Sequence, residues 1–471
     1  MNIFRIEAVI MGLLMLTLYA CGSTGKLKGR TLAKSKAVIA QLEDSLGGGH
    51  LGIYIEAMET GEVVAAYNEH KYFVPASNTK LLSLYAGLKY LPDSLPGLRY
   101  FDAGDTIFAL PTGDPTLLEN DFKLQPVVKW LQNLKKPLVI EAPNWKAERY
   151  GRGWTWSDYQ ASYQPERSAL PVYGNRLPVM IKTRKVIADE KSEQLTMEVS
   201  MGPAGSNRFR LNPDGVRWEV SSGQRFSVVR AYNSNFFTVR YGGLKDTTIN
   251  TRIPIVTNGI QLATSVLRQL TASERDSLNI IASANHSFFN KTDRAGFSTI
   301  YSQPLDSMLQ VMMYRSDNLY AEQTLLMAAN EKLGYMSDRD MIDSLLQTDL
   351  LAMPDKPVWA DGSGLSRYNL QSPANWVWLL RKMKDEFGID RLKGILPTGN
   401  TGTLNNFYKP LTSKLFAKTG TLSGVVALSG FMYANSGRLL FFSVQVNNHN
   451  TDSVKVRRMV ERYLMKVWEE N

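Results

Sequence analysis

The chain has 471 residues, 44% of them hydrophobic and 21% charged, with a formal net charge of +10. That is enough apolar chain for two or three domains with cores of their own, and it excludes a low-complexity or disordered protein. The positive charge is not gathered into any long Lys/Arg block, which argues against nucleic acid as a partner and leaves a generally basic surface or another polyanion.

The first element is an apolar run, Ala8 to Ala20, with Arg5 before it and small residues after it. It is too short to span a bilayer and reads as a signal peptide over residues 1–21. Leu18-Tyr19-Ala20-Cys21 resembles a bacterial lipobox, so Cys21 is expected to be lipidated and to anchor the chain to a membrane in the cell envelope, on the periplasmic side. Gly22 to Lys36 would then be a short polar tether. The alternative is a plain secreted protein with an incidental cysteine. Cys21 is the sole cysteine, so neither an internal disulfide nor a thiolate metal cluster is available.

Thr31 to Leu46 reads as a helix stopped by Gly47-Gly48-Gly49, and Leu51 to Met58 and Val63 to Tyr67 as strands joined by a turn. After Pro75 the period changes. Leu81, Leu84, Tyr85 and Leu88 recur at i, i+3, i+4 and i+7, one face of a helix. From about Pro92 to Ser287 short strand-like runs predominate, such as Leu195 to Ser200, Phe226 to Ala231 and Phe236 to Tyr241; this reads as a β-rich insertion. Helices return over Pro304 to Tyr314, Leu319 to Asn330 and Asp338 to Leu346. Three strands follow, Lys414 to Thr421, Val425 to Tyr433 and Arg438 to Val446, the last two joined at Asn435-Ser436-Gly437. An amphipathic helix, Asp452 to Glu469, closes the chain.

The four histidines, His50, His70, His286 and His449, show no metal-ligand spacing, and there is no GxSxG elbow or phosphate-binding glycine loop, so neither a metal nor an organic cofactor is expected. Serine–lysine chemistry remains. Ser77 and Lys80 lie three apart at a helix start, so they share a face, and the helix N-terminus favours developing negative charge there. The plainer reading is that Ser77 is a cap. Ser23 and Lys26 repeat the spacing, but no helical pattern follows them. Ser316-Asp317-Asn318 falls between two helical patterns, where a polar turn could face a cleft or simply cap a helix. Lys418-Thr419-Gly420-Thr421 ends a strand, and its glycine marks a place of close backbone approach.

SxxK, SxN and KTG in this order form the motif set of β-lactamases and penicillin-binding proteins. The interval from Ser77 to Ser316, about 240 residues, is similar to that of the serine-type D-Ala-D-Ala carboxypeptidase/endopeptidase family, the low-molecular-mass class C penicillin-binding proteins. Thr112-Gly113-Asp114-Pro115-Thr116-Leu117 resembles that family's GGGDPTL segment. Gly153-Trp154-Thr155-Trp156-Ser157-Asp158 resembles its GWxWxD, Asp361 to Arg367 its DGSGLSR, and Gly402-Thr403-Leu404 its GTL.

The resemblance implies an α+β protein with a DD-peptidase/β-lactamase-like catalytic domain: an antiparallel sheet flanked by helices, interrupted by a large β-rich insertion. The catalytic domain would comprise residues 22–91 and 287–471, and the accessory insertion residues 92–286. It implies hydrolysis of peptidoglycan stem peptides or crosslinks through an acyl-enzyme on Ser77, with β-lactams as covalent inhibitors. Either Lys80 or a Ser316–Lys418 relay takes the Ser77 proton. Ser316 passes it to the leaving amine, Asn318 holds the substrate amide and Lys80, and Lys418 and Thr419 bind the terminal carboxylate. The N–H groups of Ser77 and Thr421 form the oxyanion hole, and Gly420 lets the substrate backbone lie on the strand. Burial and the like charge of Lys418 are the expected causes of a lowered Lys80 pKa. Asp158 would bind the amino end of a diamino acid in the stem, while Trp154 and Trp156 read as core. The alternatives are a non-catalytic, lipid-anchored wall-binding scaffold and a β-lactamase.

Overall fold

The computed structural model describes residues 39, 42–189, 192–201, 215–220, 227–241, 247–272, 279–283 and 296–471. Cys21 and the expected tether lie outside them. Of the helix expected over Thr31–Leu46, Ile39 and Leu42 to Asp44 are helical within the described residues.

The sheet that organises the site has five strands, all antiparallel. Their spatial order is Leu415–Leu422, Val425–Tyr433, Leu439–Asn447, His50–Ala57, Val63–Tyr67. Strands from both ends of the sequence thus share one sheet. The period-2 alternation of a strand sends neighbouring residues to opposite faces. Phe416, Phe431 and Phe441 enter a core with the helices Lys80–Tyr90, Leu305–Arg315, Asn318–Leu333 and Pro373–Phe387. Ala417, Met432, Leu440 and Phe442 enter a second core with the final helix, Ser453–Glu470. Helices therefore cover both faces. Pro373–Phe387 is an element that the sequence reading left unassigned. Its signals are ordinary: Ser372 caps it by accepting from Asn375 N, and Pro373 occupies the first turn.

The intervening region has its own core. Its described residues hold a mixed five-stranded sheet and two three-stranded sheets. It also contains the helices Pro126–Asn133 and Gln261–Ala272, where strands alone were expected. The five-stranded sheet takes its outer strand, Ser298–Pro304, from beyond residue 286; that strand pairs with Ser94–Asp102. That strand passes at Pro304 directly into the helix Leu305–Arg315, which ends at Ser316, so the insertion and the SDN turn are mechanically joined.

Candidate active site

Ser77 lies in a short 3-10 turn, Ala76–Thr79, that runs straight into the helix Lys80–Tyr90. No side chain caps this helix, so Ser77 is not its cap. The turn is held tightly. Ala76 adopts φ +47°, Asn78 Nδ2 donates to Lys418 O at 2.8 Å, and Thr79 Oγ1 donates to Ala76 O at 2.9 Å. Ser77 keeps partial solvent access while Asn78, Thr79 and Lys80 are buried.

The Lys80 ammonium spends all three donors. Nζ donates to Ser77 Oγ at 3.0 Å, to Asn318 Oδ1 at 2.6 Å and to the Ser363 carbonyl at 2.7 Å. Burial pulls its pKa down to about 8, against the opposing pull of Asp361, Asp317 and Glu322. The expected cause, burial, is there; the second expected cause is not prominent at Lys80. Like charge acts chiefly the other way: Lys418 is held well below the ordinary lysine range by burial first and by Lys80 second.

Ser316 ends the helix Leu305–Arg315 in a left-handed conformation, φ +57°, which turns its side chain out of the helix path. Its Oγ accepts from Lys418 Nζ at 2.9 Å, and Lys418 also donates to the Thr419 carbonyl at 2.7 Å. Asp317 caps the next helix by accepting from Tyr320 N, and pairs with Arg176 of the inserted region at 2.6 Å. Burial pushes the Asp317 carboxyl up, but Arg176, the Tyr320 N–H and Arg252 together outweigh it and the pKa is lowered. Asn318 bridges: its Oδ1 faces Lys80 while its Nδ2 donates to the Tyr163 carbonyl at 2.8 Å. Ser77, Lys80, Ser316, Asn318 and Lys418 are thereby brought together.

Lys418 lies on the sheet's edge strand, opposite Ser429. A buried polar strip of Ser429, Ser443 and Gln445 lies beside it, and Gln445 Nε2 reaches Asn78 Oδ1 at 3.3 Å. Thr419 is half-buried and Thr421 exposed on the same strand. Gly420 has a local reason to be glycine. A Cβ there would stand 2.6 Å from Pro75 O and 3.2 Å from Ala76 Cβ, so the contact that it permits is with the Ser77 turn itself.

Asp158 sits at the rim, half-buried, where its Oδ2 accepts from Tyr163 Oη at 2.9 Å. Because the Tyr163 carbonyl holds Asn318, Asp158 is one residue removed from the cluster. Trp154 is half-buried and donates to Asp361 Oδ2 at 2.8 Å. Trp156 corrects the core expectation: it is 76% exposed, standing on the single turn Trp156–Asp158 at the surface.

Three side chains were missed by sequence reasoning. Glu322, on the same helix as Asn318, is fully buried; its Oε1 accepts from Ser363 N at 2.7 Å and its Oε2 from Arg167 Nη1 at 3.1 Å. Burial, aided by Asp361, raises its pKa to about 7. Arg167 also reaches Asp338 at 2.8 Å. Asp361 is the third. The one available signal was spacing, since Glu322 follows Asn318 by four and so shares its helix face. The GDPTL segment is a buried turn in which Asp114 accepts from Thr116 N and Oγ1, and Gln323 Nε2 clamps the Gly113 carbonyl at 2.7 Å. Among the described residues no His/Cys/Asp/Glu cluster could hold a metal, and no helix is long and apolar enough to cross a membrane.

A buried, deprotonatable amine on a half-exposed serine, with a second serine–lysine pair beside it, is an arrangement for acyl transfer. The sequence matches the D-Ala-D-Ala carboxypeptidase 3 (S13) family over residues 32–467. It is 22% identical over 454 residues to a D-alanyl-D-alanine carboxypeptidase DacB of Haemophilus influenzae, covering 87% of each chain. It is 25% identical over 441 residues to a D-alanyl-D-alanine carboxypeptidase of an Actinomadura species, strain R39, covering 87% of this chain and 80% of that one. The crystal structure of penicillin-binding protein 4 from H. influenzae superposes with a TM-score of 0.70 at 20% identity, covering 91% of this chain and 99% of that one. That protein has also been crystallised with a β-lactam. The chain belongs to the D-Ala-D-Ala carboxypeptidase 3 (S13) family. It is accordingly a serine-type hydrolase, with the α+β fold expected of it.

Proposed function

We propose that this chain hydrolyses peptidoglycan stem peptides ending in D-Ala-D-Ala, or the crosslinks derived from them, through an ester on Ser77. The observation that carries the reading is the placement of Lys80 Nζ, 3.0 Å from Ser77 Oγ with its charge destabilised by burial. With a pKa near 8, about a tenth of Lys80 is neutral at pH 7, which is enough to take the serine proton.

Ser77 Oγ adds to the carbonyl of the penultimate D-alanine as its proton passes to Lys80 Nζ. The scissile C–N bond then breaks, and the leaving amine takes a proton from Ser316, which Lys418 replenishes. Water then adds to the ester carbonyl, giving up a proton to Lys418 through Ser316, and the bond to Ser77 Oγ breaks as Lys80 returns its proton to that oxygen, releasing the shortened peptide. The N–H groups of Ser77 and Thr421 receive the developing oxyanion, an interaction worth roughly 3 kcal/mol per donor in comparable sites. Lys418 and Thr419 receive the terminal carboxylate, whose charge suits a buried lysine that has no carboxylate partner among the described residues. Asp158 receives the amino group of a diamino acid in the stem. β-Lactams acylate Ser77 because their ring amide mimics the scissile bond.

Residues 22–91 and 287–471 form the catalytic unit and 92–286 the accessory unit in this reading. Cys21 carries a lipid that holds the protein at the periplasmic side of a membrane. The test is incubation with a D-Ala-D-Ala muropeptide and with a crosslinked dimer, scoring free D-alanine and cleaved crosslinks. Release of either, abolished by Ser77→Ala, is the expected result. No release of either product by the wild type would leave a wall-binding scaffold, and rapid steady-state turnover of a cephalosporin in its place would make the chain a β-lactamase.

A further inference from the structure

The DGSGLSR stretch has no part in the chemistry above, yet it forms the wall behind Lys80. Asp361 is its hub. This carboxylate is 0% exposed and accepts five hydrogen bonds. Oδ1 accepts from Gly364 N at 2.9 Å and Asn369 Nδ2 at 2.7 Å. Oδ2 accepts from Ser366 N at 2.8 Å, Trp154 Nε1 at 2.8 Å and Ser363 Oγ at 3.3 Å.

Every one of these donors is neutral. Buried carboxylates of full charge are costly unless hydrogen-bonded, and five donors meet that need without cancelling the charge. The Gly364 N–H that Asp361 holds belongs to the same peptide as the Ser363 carbonyl that accepts from Lys80 Nζ at 2.7 Å. A carboxylate on the N–H side of a peptide enriches its oxygen, so this one peptide carries the charge of Asp361 to the lysine.

We propose that Asp361 is a positioning residue for Lys80: through the Ser363–Gly364 peptide it holds the ammonium in place and sets how readily Lys80 gives up its proton, and Trp154 of the inserted region trims that influence by its hydrogen bond. This rests on reading Lys80 as the base for Ser77.

The other charges facing Lys80 and Asp361 are Asp317 from the SDN turn, Glu322 from the following helix and Lys418 from the edge strand. Glu322 is largely answered by Arg167, which also binds Asp338, and Asp317 by Arg176. Asp361 forms no ion pair among the described residues, and it is the strongest of the three carboxylates opposing the drop in the Lys80 pKa. The Trp154 loop is fitted to this wall: a Cβ on Gly153 would stand 2.5 Å from Ser366 Oγ and 2.6 Å from the Tyr368 ring.

The experiment follows the acylation rate with a fluorescent penicillin across the neutral and alkaline range, in wild type, Asp361→Asn and Trp154→Phe. The wild-type rate rises with pH to a plateau as Lys80 becomes neutral. Removing the negative charge makes the ammonium harder to keep, so Asp361→Asn moves the rise to lower pH by about one unit or more. Below the rise its rate, relative to its own plateau, is then about tenfold higher than that of wild type. Trp154→Phe removes one donor and leaves the carboxylate stronger, so its rise moves a few tenths of a unit to higher pH. A purely structural knot would lower the plateau or the stability and leave the rise where it is. An unmoved rise in folded Asp361→Asn overturns the proposal. If that variant does not fold, an unmoved or downward-shifted rise in Trp154→Phe does so. Acylation that survives Ser77→Ala fails the parent reading instead, and takes this inference with it.

Discussion

Replacing Gly364 by alanine should damage acylation far more than it damages the fold. Gly364 has φ +84°, and a Cβ there would lie 1.9 Å from Ala76 O, 2.6 Å from Ala76 C and 2.9 Å from Thr79 Oγ1. Carbon contacts are comfortable at roughly 3.5 Å, so either the glycine loop or the Ser77 turn must retreat by more than about 1 Å. A left-handed alanine costs about 1 kcal/mol, and overpacking at a buried contact adds about 1–3 kcal/mol. A loss of about 2–4 kcal/mol leaves a chain of this size folded in buffer. Ser77 sits beside Ala76 and two residues from Thr79, so its Oγ inherits the displacement. A shift of this size in a reacting atom costs on the order of a hundredfold in rate. Denaturant unfolding followed by tryptophan fluorescence, and stopped-flow acylation by a fluorescent penicillin, measure the two effects separately. Gly437→Ala is the control: its φ is +88° but nothing lies within 4 Å, so it should lose about 1 kcal/mol and acylate normally. Acylation of Gly364→Ala at the wild-type rate would refute the reasoning, because the Ser77 turn would then tolerate a displacement that the geometry makes unavoidable.

Two further outcomes follow from the charges around Lys80. Asn318→Asp places a carboxylate where a neutral amide now accepts from Lys80 at 2.6 Å, so the lysine holds its proton to higher pH and the rise in acylation moves upward by about one unit or more; a pH–rate profile checks it. Glu322 has its folded-state pKa raised from 4.5 to about 7, so the folded state binds its proton the more tightly. Its contribution is full below about pH 4.5 and is lost as pH rises to about 7, a stability loss of at most roughly 3 kcal/mol that is flat beyond. Glu322→Gln should remove that slope from a series of urea titrations over the same window.

Much of this site was legible because its chemistry is concentrated in short segments. Ser77 and Lys80 were readable from their spacing and from the helical period of Leu81, Leu84, Tyr85 and Leu88. Lys418 and Gly420 were readable from a glycine set near the end of a strand. The five strands flanking the site were placed within a residue or two, since each is an apolar run bounded by turn residues. The helix Pro373–Phe387 carries a plain start signal in Ser372-Pro373, which the DGSGLSR motif just ahead of it overshadows. The insertion misled for another reason: its helix Gln261–Ala272 is surrounded by short strands, and texture averaged over a long window hides one element.

What the sequence did not display is the set of contacts that tune Lys80. Asp361 is 281 positions from Lys80, and Arg167 meets Glu322 across 155. No local period reports such pairs. Lys418 was anticipated as a repelling charge on Lys80, whereas three carboxylates prove to surround the amine and burial alone brings its pKa down. Gly420 was assigned to the substrate, whereas its bare Cα first serves the Pro75 carbonyl. In each case a residue was recognised by type, and its partner became visible only once the chain had folded.

Acylation at Ser77 Oγ is the central step. Peptide mapping by mass spectrometry after exposure to benzylpenicillin tests this most directly. The penicilloyl mass should appear once per chain, on the peptide containing Ser77, and should vanish in Ser77→Ala. An adduct on any other residue, or none on a folded wild-type protein, would contradict it.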